Sequence, residues 1–243
     1  TGAVTITDST FDDNAGDGLW VESGGEITLD TVSASDNGWD GAGLDNSYGS
    51  GSVSVADSTF SDNDSLGLDV WTEGGISLDQ VEASLNLDGA ALDAGDAITV
   101  IASEFSENDY GGLWAGTSYG DITLTNVTAV DNMLYGAVIG TDEGNIVVID
   151  GLFTGSITLD PDVYGYGIGL QAGTGLGSVT LTNVLSIGND IGAMVGSMDG
   201  DVTITGGLFM DNTWIGLESG TGSGILTLTT GTAFIMWLGE QIT

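Results

Sequence analysis

A short alternating motif recurs ten times along the 243 residues and constrains the fold more than any other feature. Each copy places two aliphatic residues around a central Thr, Ser or Val, as in Val4–Ile6 and Ile122–Leu124. Successive copies are 23, 26, 23, 22, 24, 24, 33, 23 and 24 residues apart. Alternation with β-branched residues is typical of a half-buried strand. A fixed period of about two dozen residues indicates a solenoid built from similar coils.

Each coil contains signals for two further strands. The second strand carries a pair such as Ser58-x-Phe60, and the third begins with Gly, as in Gly67-Leu68-x-Val70. In eight coils an Asn follows the second strand by three residues: Asn14, Asn37, Asn63, Asn86, Asn108, Asn132, Asn189 and Asn212. Asn tolerates the left-handed backbone of a sharp turn, and stacked amides can hydrogen-bond as a ladder. We predict an all-β, right-handed, single-stranded parallel β-helix of about ten coils, with three short strands per coil, in a single domain over 1–243.

The coils alternate between two types. Odd coils carry a small residue and then Phe in the second strand: Phe11, Phe60, Phe105, Phe153 and Phe209. They also carry Leu or Ile after the Gly of the third strand: Leu19, Leu68, Leu113, Ile168 and Leu217. Even coils carry Val and then Ala or Ser, with Ala in the third strand. This pattern predicts inward Phe rings that are accommodated by small neighbours above and below.

The charge of the chain excludes several classes of function. It contains 36 acidic residues and no Lys, Arg or His, which gives a formal net charge of −36, and it contains no Cys. Nucleic-acid binding is excluded because there is no basic surface. A Ser-His-Asp triad, a thiol nucleophile, a His or Cys zinc site and a Schiff-base lysine are excluded as well. We therefore assign no catalytic residue and no required cofactor, and we predict a protein that is not an enzyme.

Acidic residues gather at the turns beside the Asn positions. Equivalent carboxylates in successive coils are expected to lie about 4.8 Å apart, and oxygen ligands suit bridging Ca²⁺ or other cations. The candidate metal ligands are Asp13, Asp17, Asp36, Asp40, Asp62, Asp64, Glu107 and Asp109. The alternative is that Asp and Asn simply favour turns and stay solvated.

The outward position of the third strand is unusually rich in apolar residues and glycine: Trp20, Gly43, Asp69, Ala91, Trp114, Val138, Gly169, Met194 and Glu218. Exposed apolar strips often mark contact sites. A second candidate is the insertion 154–166 in the seventh coil, because insertions in repeats form protruding loops. The predicted contact surface comprises Trp20, Trp114, Val138 and Met194, with Asp160, Asp162 and Tyr164 from the insertion. The two Trp side chains could stack on sugar rings or against a neighbouring rod, whereas long turns could also cover the strip.

The first strand points Thr or Ser outward in nine of ten coils. A flat Thr array resembles the ice-binding face of β-helical antifreeze proteins. The alternative is that Thr is simply a favourable exposed strand residue. The array is interrupted at the second outward position by Asp30, Ala56, Asp79, Ile101 and Ile149.

The coil sequence also resembles a known family. The segments Ile122–Ala129 and Val179–Val184 resemble the repeats of large bacterial extracellular right-handed parallel β-helix proteins. The segment Val53–Phe60 is a variant of the same repeat sequence. The resemblance implies an adhesin-like or fibre-forming surface protein. We therefore expect a polyanionic, cation-binding structural rod of an extracellular or cell-surface fibre. It would self-associate end to end or form a segment of a longer solenoid.

Two alternatives belong to other classes of function. One is a carbohydrate-binding or polysaccharide-depolymerising β-helix, since an inverting glycosidase needs only two carboxylates. The other is an ice-binding protein. We expect no membrane insertion, because the sequence has no run of 18 apolar residues.

Overall fold

The computed structural model describes residues 2–158, 165–229 and 233–234, the last two as backbone only. Within these residues the regular structure consists of 24 β-strands in three parallel sheets, with no helix. The predicted all-β parallel β-solenoid is therefore confirmed. The largest sheet has ten strands and the next has nine, which gives nine to ten coils and is close to the predicted ten.

The three sheets run along the solenoid axis as its faces. Sheet A contains the recurrent motif: β1 Val4–Thr10, β3 Ile27–Ser33, β5 Val53–Ala56, β7 Ile76–Asp79, β9 Ile98–Ile101, β11 Ile122–Thr125, β14 Ile146–Ile149, β17 Val179–Thr182, β20 Val202–Thr205 and β23 Leu226–Leu228. Sheet B contains the third strand of each coil: β2 Leu19–Glu22, β4 Ala42–Asn46, β6 Leu66–Thr72, β8 Asp88–Ala94, β10 Gly111–Thr117, β13 Tyr135–Thr141, β16 Ile168–Thr174, β19 Ile191–Ser197 and β22 Ile215–Thr221.

Sheet C contains the second strand of each later coil. Its five strands are β12 Thr128–Val130, β15 Leu152–Thr154, β18 Leu185–Ile187, β21 Leu208–Met210 and β24 Ala233–Phe234. Between coils one and two this face is formed by the ends of β1 and β3, which pair Ser9 with Val32 and Thr10 with Ser33. In coils two to six it is reduced to single parallel bridges that link Ser33, Thr59, Glu82, Glu104 and Thr128. The three predicted strands per coil therefore form fully only in the second half of the rod.

Strand pairing keeps equivalent repeat positions in register. In sheet A, Ile122 pairs with Ile98 on one side and with Ile146 on the other. Each repeated position therefore becomes a continuous row along the axis. The inward rows of sheets A and B supply most of the buried aliphatic side chains.

The predicted size alternation in the core is confirmed. The Phe side chains at 60, 105, 153 and 209 are fully buried, and so are the intervening Ala34, Ala83, Ala129 and Ser186. A Cβ added to Gly151 would lie 2.6 Å from the ring of Phe153, and the same holds for Gly207 and Phe209. The ring therefore folds back over the preceding position, which explains why that residue is small.

Coil seven differs from the sequence prediction in one respect. Its inward residue is Leu170, which pairs with Ala137 and Ala193, so the assignment to Ile168 was wrong. The inserted segment in this coil extends the chain before the third strand. The predicted register was consequently displaced by two residues.

The Asn ladder is confirmed. From Asn14 to Asn108, each ladder Asn donates both its backbone N–H and its side-chain Nδ2–H to the Oδ1 of the Asn in the next coil, and Asn132 is the last acceptor of this series. For Asn63 and Asn86 these two donor–acceptor distances are 2.9 Å and 3.0 Å. The second Nδ2–H of a buried Asn donates to a main-chain carbonyl of the preceding coil, as Asn86 does to Phe60. Buried amides are thereby satisfied along the axis.

The left-handed backbone conformation belongs to a different residue from the one predicted. It occurs immediately before the ladder Asn, with φ of 59° at Asp13, 57° at Asp36 and 59° at Asp62. A second left-handed position in each coil follows the sheet A strand, for example at Asp57 and Asn126. The ladder position therefore requires the side-chain amide of Asn, and not its tolerance of a left-handed backbone.

Glycine is required at the start of the third strand, where the backbone lies against the side-chain amides of the Asn ladder. A Cβ added to Gly67 would lie 2.6 Å from Nδ2 of Asn86 and 2.5 Å from the carbonyl oxygen of Phe60. No side chain fits there without displacing a buried amide. This close approach accounts for the Gly that begins the third strand.

The ladder is interrupted at the insertion in coil seven. Ser156 occupies the Asn position, and its backbone N–H donates to Oδ1 of Asn189 at 2.9 Å. The buried carboxylate of Asp190 accepts hydrogen bonds from the backbone N–H groups of Thr158 and Gly167 and from the Thr158 hydroxyl. Asp190 of coil eight therefore hydrogen-bonds to residues near both ends of the insertion. The predicted contact residues Asp160, Asp162 and Tyr164 lie outside the described residues.

Candidate functional site: the outer face of sheet B

Two outward rows of side chains run along sheet B. The first row is Trp20, Gly43, Asp69, Ala91, Trp114, Val138, Gln171, Met194 and Glu218. The second row is Glu22, Asp45, Trp71, Asp93, Gly116, Gly140, Gly173, Gly196 and Gly220. The structure thus places the predicted contact residues Trp20, Trp114, Val138 and Met194 in one row. Gln171 replaces Gly169 in that row, for the same reason that Leu170 replaces Ile168.

Three tryptophans lie on this face, one in each of the first three odd coils. Trp20, Trp71 and Trp114 are 49%, 50% and 39% exposed. Two coils separate each from the next, which is about 9.6 Å along the axis. A Cβ on Gly43 would touch the ring of Trp20, and a Cβ on Gly116 would lie 2.7 Å from the ring of Trp114. These two rings therefore lie along the sheet, and each leaves one face open.

The glycines of the second row form the floor of a groove in coils five to nine. One part, of about 340 Å³, includes Asp93, Trp114, Gly140 and Asp142. The other, of about 360 Å³, includes Gln171, Met194, Glu218 and three glycines. The two parts share Gly173, above which a Cβ would meet no atom within 4 Å. The floor is thus bare backbone with open space above it.

A wider depression of about 560 Å³ continues the groove towards the first coils. It is lined by Trp71, Glu73, Asp93, Gly95 and Tyr119, among others. It shares Asp93 and Ser118 with the groove. Only Glu73 to Gly75 separate Thr72 from β7, and Gly95 to Ala97 separate Ala94 from β9, so these two turns are short. We call the joined depression and groove the sheet B trough.

Two carboxylates on the outer face of sheet B are held in unfavourable surroundings, namely Asp93, which lines the trough, and Asp69, which belongs to the first row. Burial raises the pKa of Asp69 from 3.8 to about 6, with further contributions from the negative charges of Asp40, Asp45 and Asp93. Burial also raises the pKa of Asp93, and the nearby Glu73 adds to the effect. No basic side chain exists in the chain to offset these charges. The trough is therefore a site that stabilises positive charge.

Asp69 provides a test of this electrostatic cost. Its folded-state pKa of about 6 lies above the ordinary 3.8, so the folded state holds more protons between these values and its stability falls as pH rises through that window. We expect Asp69→Asn to raise the free energy of unfolding at pH 7 by on the order of 1 kcal/mol, since solvent screens a partly exposed group. The gain should vanish below about pH 4. Urea unfolding across this range measures it, with Asp62→Asn as control. Equal pH dependence of the two variants would contradict the assignment.

The eight predicted metal ligands fall into separate groups. Asp13, Asp36, Asp62 and Glu107 occupy the left-handed position before the ladder Asn. Asp17 and Asp40 instead accept hydrogen bonds from backbone N–H groups of the next coil, namely those of Asp40 and Leu66. Asp64 and Asp109 follow the ladder Asn. In the ranges that the structure covers, no three acidic residues converge to hold a metal ion. Dedicated Ca²⁺ sites stay a prediction.

The outward Thr and Ser residues of sheet A stack in register, for example Thr99 with Ser77 and Thr123. Coil seven interrupts both outward rows with Val147 and Ile149. Ice binding by this face stays a prediction as well.

Comparison with known proteins identifies the family. The family model described as a right handed beta helix region matches residues 1–209. The chain belongs to the right-handed β-helix family. The predicted right-handed winding of the coils is therefore confirmed. The family includes polysaccharide lyases and hydrolases as well as proteins that are not enzymes, so membership does not decide catalytic activity.

No curated protein and no solved structure matches this β-helix. Among its described residues, no helix has the length and apolar character needed to cross a bilayer.

Sequence reasoning missed half of the trough. Trp71 and Tyr119 were not identified, nor was the glycine row. The signal was present, because Trp71 and Gly116 each lie two residues beyond an outward position and period-2 alternation points them outward too. The depression depends on short turns, and their effect on shape required the register of neighbouring coils.

Proposed function

We propose that this β-helix is a polyanionic structural rod of an extracellular or cell-surface fibre, without catalytic activity of its own. The observation that carries the proposal is the unbroken axial register, in which the described strands of sheets A and B pair coil after coil along the rod. Such nearest-neighbour stacking builds length, and length is the property that a fibre segment requires.

Cation binding follows from the charge density. Ten coils at about 4.8 Å make a rod of about 48 Å. The 36 carboxylates then correspond to about one charge per 1.3 Å, compared with about 1.7 Å for duplex DNA. A rod of this density accumulates counterions, so the proposal includes diffuse cation binding and weaker self-repulsion at higher salt.

In the proposed end-to-end association, the first coil is the contact surface. Its inward residues Val4, Ile6, Phe11 and Leu19 are only half-buried, whereas the equivalent Ile27, Leu29 and Ala34 in coil two are fully buried. The strand β1 pairs with β3 on one side only. An additional coil, from a longer polypeptide or from a second copy, would bury this apolar face and complete the edge.

Sedimentation tests the end-to-end association. We expect the purified chain to form oligomers whose size increases with concentration and with salt, since screening reduces the charge repulsion between rods. Replacing the first-coil residue Ile6 by Lys should abolish the association, because a charge would be buried at the joint. Thr5→Lys is the matched control on the outward face. A monodisperse monomer at all concentrations and salts, with no fibres in micrographs, would contradict the proposal.

The sheet B trough favours a second function, the binding of a linear polysaccharide. Open aromatic faces, a bare glycine floor and a length of several coils suit a chain of sugar rings, whose apolar C–H faces stack on indoles. Binding would change the fluorescence of Trp71 or Trp114. The change should be reduced in Trp71→Ala, where Trp114 remains, and kept in Trp39→Ala, which removes an exposed tryptophan outside the trough.

A further inference from the structure

We propose that the occupant of the sheet B trough is a linear polysaccharide of amino sugars with free ammonium groups. This inference rests on the proposed polysaccharide binding and specifies the chemical class of its ligand. It is carried by the neighbouring aromatic and acidic side chains on the outer face of sheet B, with Trp71 and Asp93 both lining the trough, in a chain that has no positive charge of its own.

The alternation is set by the strand register. In the second row, Trp71 lies between Asp45 and Asp93, one coil away on each side. In the first row, Asp69 lies beside Gly43, and the ring of Trp20 covers Gly43. An aromatic surface is thus bordered by a carboxylate within about one coil spacing of 4.8 Å. A sugar ring stacked on the indole would bring its substituents next to a carboxylate.

Charge selects among the polysaccharides that could stack on these rings. A polyuronate would add negative charge to a rod that already carries −36, so it would be repelled along its whole length. A neutral glycan would leave the partly buried carboxylates of Asp69 and Asp93 without a counter-charge. An ammonium group offsets that cost and can also lie over the face of Trp71 as a cation–π pair.

The spacing of the tryptophans suits a polymer. Trp20, Trp71 and Trp114 recur at every second coil, about 9.6 Å apart along the axis, which is comparable to the length of a disaccharide unit. Trp20 and Trp114 lie in the first row and Trp71 in the second, so several rings of one chain could each stack on an indole, displaced sideways at every second contact. Binding at repeated positions raises the affinity of long chains above that of short ones.

A basic peptide is a poorer fit to this face. An extended peptide is generally bound by adding a strand to a free sheet edge. The trough lies on the face of sheet B, where β6 and β8 already pair with strands on both sides. Their backbone groups are therefore occupied. The groups left free to bind are ring faces and carboxylates, which suit sugar rings bearing amines.

Titration of the whole chain with oligosaccharides of equal length tests the inference. The probes are hexamers of glucosamine, N-acetylglucosamine, glucose and galacturonate, with oligolysine as the peptide probe. We expect the glucosamine hexamer to bind at least about tenfold more tightly than the neutral hexamers, and less tightly as salt increases. We expect no measurable binding of galacturonate.

Matched variants separate the trough from general counterion attraction. Trp71→Ala should weaken glucosamine binding about tenfold, and Asp93→Asn about threefold. Their controls are Trp39→Ala and Asp62→Asn, which remove an exposed tryptophan and one exposed charge elsewhere and should leave binding unchanged.

Each other outcome overturns a specific part of the inference. Equal binding of neutral and amino-sugar hexamers, still dependent on Trp71, would overturn the charge selection and leave polysaccharide binding intact. Binding of no hexamer would overturn both. Equal losses in Asp93→Asn and Asp62→Asn, with none in Trp71→Ala, would show counterion attraction by the whole rod. Oligolysine binding as tightly as glucosamine, and with the same variant effects, would overturn the sugar assignment.

Discussion

Replacing Asn63 by Ala should lower the free energy of unfolding by about 3–5 kcal/mol, since buried polar groups left without partners cost about 1–3 kcal/mol each. The Asn63 side chain accepts hydrogen bonds from the backbone and side-chain N–H groups of Asn37. It donates to Oδ1 of Asn86 and to the carbonyl oxygen of Ala34. The variant leaves these buried groups without those partners at the centre of the ladder.

Urea unfolding measures the loss, and Asn14→Ala is its matched control. Asn14 makes the same type of bonds to Asn37, but it is exposed in the first coil, so water can replace its amide. We expect a loss of less than about 1 kcal/mol for the control. Similar losses for the two variants would show that the ladder contributes little beyond local turn preference.

Replacing Phe60 by Ala should cost about 3–5 kcal/mol, because it removes a fully buried ring and leaves a cavity. The inward neighbours in the adjacent coils are Ala34 and Ala83, which are too small to fill the space. Coils contact only their neighbours, so hydrogen exchange should increase most in coils two to four and least in coil eight.

A double-mutant cycle tests whether the alternation compensates volume. Ala34→Leu should destabilise the wild-type protein, because the space beside Phe60 is already filled. The same substitution should recover about 1 kcal/mol or more in Phe60→Ala, where it occupies part of the cavity. A thermal or urea transition of Phe60→Ala that matches the wild type would contradict the inward placement of the ring.

Most of the fold could be predicted from the sequence, because the determining information is periodic. The recurrence of the motif from Val4 to Leu226 gave the coils, and the alternation of Phe and Ala gave the core. In coil seven the insertion made the predicted register of the third strand wrong. Counting forward from the preceding strand misplaced Ile168 and Gly169, because the length of a loop does not reveal where pairing resumes.

The candidate site was predicted less completely, for a different reason. Trp20 and Trp114 belong to the first outward row and follow from alternation alone. The trough also needs Trp71 in the second row, a glycine floor and two short turns. These features meet only when neighbouring coils are aligned, and no single coil contains them all. The placement of the predicted metal ligands depended on the same alignment.

The Asn ladder also makes the rod directional. In each uninterrupted step the bond from one Asn side chain to the next donates towards the coil that follows it, and no described Asn-to-Asn bond runs the other way. Two rods joined tail to tail would oppose like groups, whereas head-to-tail joining continues the series. A fibre built from this rod would therefore be polar, with two chemically distinct ends that add subunits at different rates. Asymmetric growth from labelled seeds would be its visible signature.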